Sequence, residues 1–178
     1  MAPVIQVLVA LIVLVAGIYD IRYRRIPNWL VLPALPVGFA LNAFLYGLAG
    51  LKIAGLGFGL AVLIYMPLYI VRGMGAGDVK LAAALGALVG WQNWLLLFIF
   101  AALIGGVLAL VLMLAYGRFR KTFWNLGYII WELAHFRSPH ARSEELDVRS
   151  PRAFRLPHGA VLALGTFALV GARVFAGG

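Results

Sequence analysis

Cysteine is absent from this sequence and acidic residues are scarce. With no cysteine among 178 residues, disulfides, thiolate metal sites and a cysteine nucleophile are excluded. The three histidines, His135, His140 and His158, do not fall at the HExxH spacing or a comparable ligand spacing, so neither a metal nor another cofactor is expected. Only six acids occur, and Glu132, Glu144, Glu145 and Asp147 share one polar segment. That leaves Asp20 and Asp78, each at the end of an apolar stretch. Charged residues of both signs make up 12% of the chain and hydrophobic ones 64%, the profile of an integral membrane protein.

What charge there is has one dominant sign. The formal net charge of +9 could suggest nucleic acid, but the basic residues cluster between apolar segments, as the positive-inside rule predicts, and no nucleic-acid partner is expected. No Lys or Arg precedes the apolar run from Val4, and no small-residue cleavage site follows it; Asp20-Ile21-Arg22-Tyr23-Arg24-Arg25 comes instead. The run is expected to be a retained helix with its N-terminus outside. Membrane helices need about 20 apolar residues. Six candidate spans follow: 3–21, 28–46, 53–71, 78–89, 94–116 and 156–175, with a basic cytoplasmic segment over 117–155. Pro33 and Pro36 are expected to bend the second span, and Gly90-Trp91-Gln92-Asn93 is the natural turn between the fourth and fifth.

Thirteen of the fifteen Lys and Arg residues fall on one side of this arrangement, and only Lys52 and Arg173 on the other. The expected architecture is therefore all-α, six transmembrane helices in a single membrane domain over 1–178, N-out and C-out. Asp20 and Asp78 then both face the cytoplasm, and Trp91 and Trp94 fall at the outer interface. Twelve residues in the fourth span rise only about 18 Å, against a hydrocarbon core of about 30 Å. Either that helix runs past Gly90, or its start and the preceding glycine loop lie below the cytoplasmic surface. Part of the 117–155 segment, with Phe119, Phe123, Trp124, Tyr128 and Trp131 among Arg118, Arg120 and Lys121, could lie in the membrane plane, or simply be solvated.

A carboxylate in a membrane helix costs about 2.5–3.5 kcal/mol near the centre on insertion scales, and less near an end. Two on the same side suggest an aspartic protease dyad. One, ionised, activates a water; the other, protonated, donates to the scissile carbonyl oxygen. Such a pair shares a proton and has to be sheltered from bulk water. A structural alternative stands beside this: Asp78 as a helix cap, and Asp20 paired with Arg22, Arg24 or Arg25. The alternating Gly73, Gly75 and Gly77 strip side chains from a stretch of backbone, which lets an extended peptide approach closely or simply makes a flexible connector. No strand precedes them and the spacing is G-x-G-x-G, so they are not a dinucleotide fingerprint.

Three motifs carry a family resemblance. Gly75-Ala76-Gly77-Asp78-Val79-Lys80 reads as GxGDxK. Asp20 followed by Arg24-Arg25-Ile26-Pro27-Asn28 resembles the first-aspartate motif of the type IV prepilin peptidases, and Leu156-Pro157-His158-Gly159-Ala160 resembles their late proline-containing motif. The resemblance implies a GxGD-type aspartic membrane peptidase in the inner membrane. It would cleave the basic leader from prepilins or pseudopilins in type IV pilus biogenesis and protein secretion. By this resemblance Asp20 and Asp78 are the catalytic pair, Gly75 and Gly77 belong to the active-site loop, and Lys80, Pro27 and Asn28 are motif positions beside it. Pro27 and Asn28 are expected to set the angle at which the second helix departs. Larger members add a cytoplasmic segment with a cysteine zinc site and methylate the new N-terminus. This chain resembles the short, peptidase-only form of tight-adherence (Flp-type) pilus systems, without methyl transfer.

Archaeal preflagellin peptidases share the dyad. Intramembrane proteases of the presenilin type share Tyr-Asp and GxGD but expect a later Pro-Ala-Leu, which this sequence lacks. A non-enzymatic alternative is a small transporter or assembly scaffold with carboxylates in a proton path. A prepilin carries its basic leader just before an apolar helix, so its cleavage point lies at the cytoplasmic interface, the depth expected for both aspartates. Glu132, Glu144, Glu145 and Asp147 are candidates to read the leader, or a solvated loop.

Overall fold

In the computed structural model, residues 1–71, 74–115 and 158–175 are described. They form α1 (Pro3–Tyr23), α2 (Asn28–Ile70), α3 (Ala76–Ala115) and α4 (His158–Phe175). The described residues are all-helical. Three of these helices are long and apolar enough to cross a membrane, and α4 contains a shorter apolar stretch, His158–Ala172. The segment 117–155, with its aromatics and four acids, lies outside the described residues, as do Gly73 and the Leu156-Pro157 start of the late motif.

Side-chain size is distributed as lipid solvation requires. Phe44 is 87% exposed and Leu48 78%, while Ala54, Ala61, Ala82, Ala84 and Ala87 are fully buried. Large apolar groups facing outward would be a liability in water, but they suit hydrocarbon. Small residues inside let backbones approach, which is how helices associate where there is no hydrophobic drive between them.

Two glycines turn the long helices back on themselves. The backbone of α2 stays helical through Pro33 and Pro36 and leaves the helical region at Gly47 (φ 61°, ψ −145°); α3 does so at Gly90 (φ 75°, ψ 167°). Both conformations are open to glycine and strained for a residue with Cβ. The reversals are visible in contacts. Gly50 lies against the backbone of Asn42, and the Trp94 indole N–H donates to the Ala82 carbonyl at 2.9 Å. In a straight helix those last two residues would be about 18 Å apart. The second corner falls where the sequence placed it, but as a single residue, with helix resuming at Trp91. The first corrects the expected boundary: 47–52 is not a connector, and Lys52 lies within the returning helix. A hydropathy window registers a loop by its polarity and does not register one glycine with positive φ. The helix 76–89 remains short, because its helical geometry ends at Gly90.

After its corner, α2 packs on the first part of α3, so closely that a Cβ on Gly57 would strike the Gly86 carbonyl. The returning part of α3 packs on α4 through Ala101 against Gly165 and Gly105 against Val161. On its other side α4 meets α1, where Gly17 faces Ala160 and Ala163. Near the corners, buried Asn42 donates to the carbonyls of Ala87 (2.9 Å) and Leu88 (3.0 Å). Those carbonyls lie at the helix end that Gly90 creates, where backbone acceptors lack intrahelical partners. The opposite end of the bundle collects the C-terminus of α1 and the N-termini of α2, α3 and α4.

Candidate active site

Asp20 lies in the last turn of α1, which ends where the Arg24 N–H donates to the Asp20 carbonyl at 2.9 Å with Arg24 left-handed (φ 54°). Its side chain turns inward and is only 7% exposed. The carboxylate oxygen Oδ2 accepts the Gly159 N–H at 2.8 Å, with the Ala160 N–H beside it. These are free amides in the first turn of α4, where the positive end of the helix favours an anion. Position 159 is tight, since a Cβ there would lie 3.1 Å from Cβ and 3.2 Å from Oδ2 of Asp20. The arginines Arg22, Arg24 and Arg25 are exposed, and Arg24 adds a favourable electrostatic interaction with Asp20. The hydrogen bond that orients the carboxylate nevertheless comes from another helix.

Asp78 is the third residue of α3. Its Oδ2 accepts the Gly75 N–H at 3.2 Å, while its own N–H donates to the Gly75 carbonyl at 3.2 Å. This is one half of a capping box, the third helical side chain on the N-cap N–H; glycine has no side chain to return the bond, and its backbone carbonyl takes the Asp78 N–H instead. The capping alternative weighed from the sequence is thus real, and it coexists with a second relationship: Asp78 interacts electrostatically with Asp20. One carboxylate therefore both closes the start of α3 and feels the charge of the other acid.

The neighbouring motif residues are tied to this loop. Lys80 Nζ donates to Asn28 Oδ1 at 3.0 Å, across the starts of α3 and α2. A Cβ on Gly77 would come within 3.1 Å of Ile26, so the Ile26-Pro27-Asn28 turn lies along the glycine loop. Pro27 is the extended residue before α2 (φ −71°, ψ 133°) and Asn28 its first helical residue. Asn28 does not cap its own helix; its side chain goes to Lys80.

Three contributors, Tyr65, His158 and Gly159, were not assigned a role from the sequence. Tyr65, in the returning part of α2, is 2% exposed and feels the charge of Asp78. Its hydroxyl lies 3.4 Å from Nε2 of His158, the residue before Gly159. A tyrosine inside the apolar run Leu63-Ile64-Tyr65-Met66 gives no sequence signal of its own. His158 and Gly159 sat inside a quoted motif, but nothing in the spacing said that their turn would meet Asp20. Among the described residues no cluster of three or more His, Asp or Glu could hold a metal ion.

Two carboxylates, each held by a glycine amide at one end of an apolar helical bundle compatible with a membrane protein, make up the candidate site. Residues 7–110 match the Type IV leader peptidase family, and the chain belongs to that family. It is 35% identical over 137 residues to the prepilin leader peptidase/N-methyltransferase of Escherichia coli (strain K12), covering 67% of this chain and 60% of that one. It is 37% identical over 111 residues to the protein of that name in Stutzerimonas stutzeri (56% and 37% covered) and 36% identical over 111 residues to that of Pseudomonas aeruginosa (56% and 37% covered). The chain thus spans 60% or less of the length of these curated relatives. No solved structure matches it.

Proposed function

We propose that this chain is an aspartic endopeptidase of the inner membrane that removes the basic leader from prepilins or pseudopilins at the cytoplasmic face. The observation that carries the reading is that carboxylates from two helices, Asp20 and Asp78, gather at one end of the bundle within reach of each other's charge, each with one oxygen on a glycine N–H. Family membership supports the substrate class. In this reading α1, the two parts of α2, the two parts of α3 and α4 make six spans in one membrane domain, with both termini outside and thirteen of the fifteen basic residues inside. The short helix 76–89 leaves the glycine loop and Asp78 below the headgroup level, within protein, where irregular backbone is tolerated.

The ionised carboxylate takes a proton from water as the water oxygen attacks the scissile carbonyl carbon. The protonated partner gives its proton to the carbonyl oxygen. On collapse of the tetrahedral gem-diol the C–N bond breaks, the leaving amine takes the proton that the first carboxylate removed, and one hydroxyl returns its proton to the second carboxylate as the C=O reforms, which restores the starting state. Gly75 and Gly77 belong to the active-site loop, where the missing side chains let Asp78 Oδ2 and Ile26 come close, and Lys80, Asn28 and Pro27 hold that loop against the start of α2. The product amine is left unmethylated in this proposal, since methyl transfer is assigned to none of these residues.

The test is leader cleavage of a co-expressed prepilin. Asp20→Ala and Asp78→Ala should each abolish the mature product while the variant protein remains folded in the membrane. Full processing by either variant, or by Asp20→Asn, would discard the dyad, because an amide cannot shuttle the proton. The mass of the mature N-terminus reports whether a methyl group was added.

A further inference from the structure

The packing around Tyr65 accounts for its ring and leaves its hydroxyl to be explained. The ring meets Trp94 edge-on at 5.9 Å and Phe98 at 6.1 Å, and a phenylalanine would make the same contacts. A buried hydroxyl is costly unless it finds a hydrogen-bond partner. Here the polar neighbour is His158, whose ring also lies against that of Tyr65 at 5.7 Å, with Nε2 3.4 Å from the phenol oxygen. Whichever of the two carries the proton, they form one donor–acceptor contact. His158 is the first residue of α4 and Gly159 the second, and the Gly159 N–H holds Asp20. Trp94 fixes the other side of Tyr65 by stacking on Phe98 at 5.5 Å and donating to Ala82. A continuous chain of contacts therefore runs from the α3 core through Tyr65 and His158 to the amide that orients Asp20.

We infer that Tyr65 is a positioning residue: through His158 it fixes the first turn of α4, so that the Gly159 N–H presents the Asp20 carboxylate to its partner acid. The inference rests on the leader-peptidase reading for its consequence in turnover, but the mechanical link stands on the contacts alone. It separates Tyr65 from an ordinary core aromatic, whose hydroxyl would be dispensable.

Tyr65→Phe removes only the hydroxyl, and His158→Ala cuts the same link from the other side. Two readouts apply to the full chain in detergent. By NMR, hydrogen exchange at the Gly159 amide should speed up about tenfold in each variant, with the amides from Ala82 to Leu88 unchanged. With a prepilin substrate, kcat should fall about tenfold with KM within about twofold, as a misplaced catalytic group predicts. The double variant should be no worse than the worse single one, since both break one link. Unchanged exchange at Gly159 in Tyr65→Phe would overturn the inference. So would faster exchange spread equally over α3, which marks general loosening, or wild-type kcat in a variant whose Gly159 amide has loosened. If the wild-type protein leaves prepilin intact, the leader-peptidase reading fails instead, and the exchange readout still decides the link.

Discussion

At the end of the bundle marked by Gly47 and Gly90, the carbonyls exposed where a helix stops are taken up by a neutral amide, Asn42, on Ala87 and Leu88. At the other end, the N–H groups exposed where α3 and α4 begin are taken up by carboxylates, Asp78 on Gly75 and Asp20 on Gly159. Both ends solve the same problem, satisfying backbone groups away from water. Neutral side chains suffice for that purpose, since Ser, Thr or Asn cap helix N-termini well. Two interacting acids are a more expensive solution. Under the proposed function, the corner end serves stability and the acidic end serves chemistry. Substitutions at the first should therefore move the unfolding transition, and at the second the turnover.

The largest expected effect belongs to the acidic end. Asp20→Ala and Asp78→Ala should each lower kcat/KM for a prepilin by at least about a thousandfold. Stability measured by thermal unfolding in detergent should not fall in parallel. Next is Gly159→Ala, whose added methyl would lie 3.2 Å from Asp20 Oδ2 and push α4 away. A shift of a few tenths of an ångström at the carboxylate predicts a loss of about tenfold in kcat, with the protein still folded. At the corner end, Asn42→Ala should destabilise by about 1–3 kcal/mol, because it leaves buried carbonyls unpaired, and should change kcat little. A large kcat loss there at unchanged stability would break the division. The smallest effect is expected for Lys80→Ala, which removes an exposed hydrogen bond to Asn28. A few-fold loss in kcat/KM, matched by Asn28→Ala and not deepened in the double variant, would place the pair with the acidic end.

The comparison also explains what could be read from the residues. Apolar run length placed α1 and the start of α2 closely, because burial in lipid is a property of long windows. The Gly90 turn stood out through its polar neighbours Gln92 and Asn93. Gly47 did not, since it is flanked by Tyr46 and Leu48, and only its backbone angles distinguish it from a helical residue. At the acidic end, the scarcity of acids singled out Asp20 and Asp78 before any fold was known. The capping role of Asp78 and its pairing with Asp20 looked like competing explanations from sequence. In three dimensions one carboxyl group accepts the Gly75 N–H and also feels the charge of Asp20. Tyr65 was invisible because its role comes from the turn at Gly47, which carries the returning helix back to the start of α4.

The central claim is that Asp20 and Asp78 face one another across the same small volume. The chain has no cysteine, so Asp20→Cys/Asp78→Cys offers a direct probe in native membranes. A short bis-thiosulfonate reagent is expected to bridge the two positions in a single chain, and a control pairing Asp20→Cys with Lys52→Cys, beyond the Gly47 corner, is expected to remain unbridged. If both cysteines of the first pair react singly with the reagent and no bridge forms, the two aspartates do not share a site and the account is contradicted.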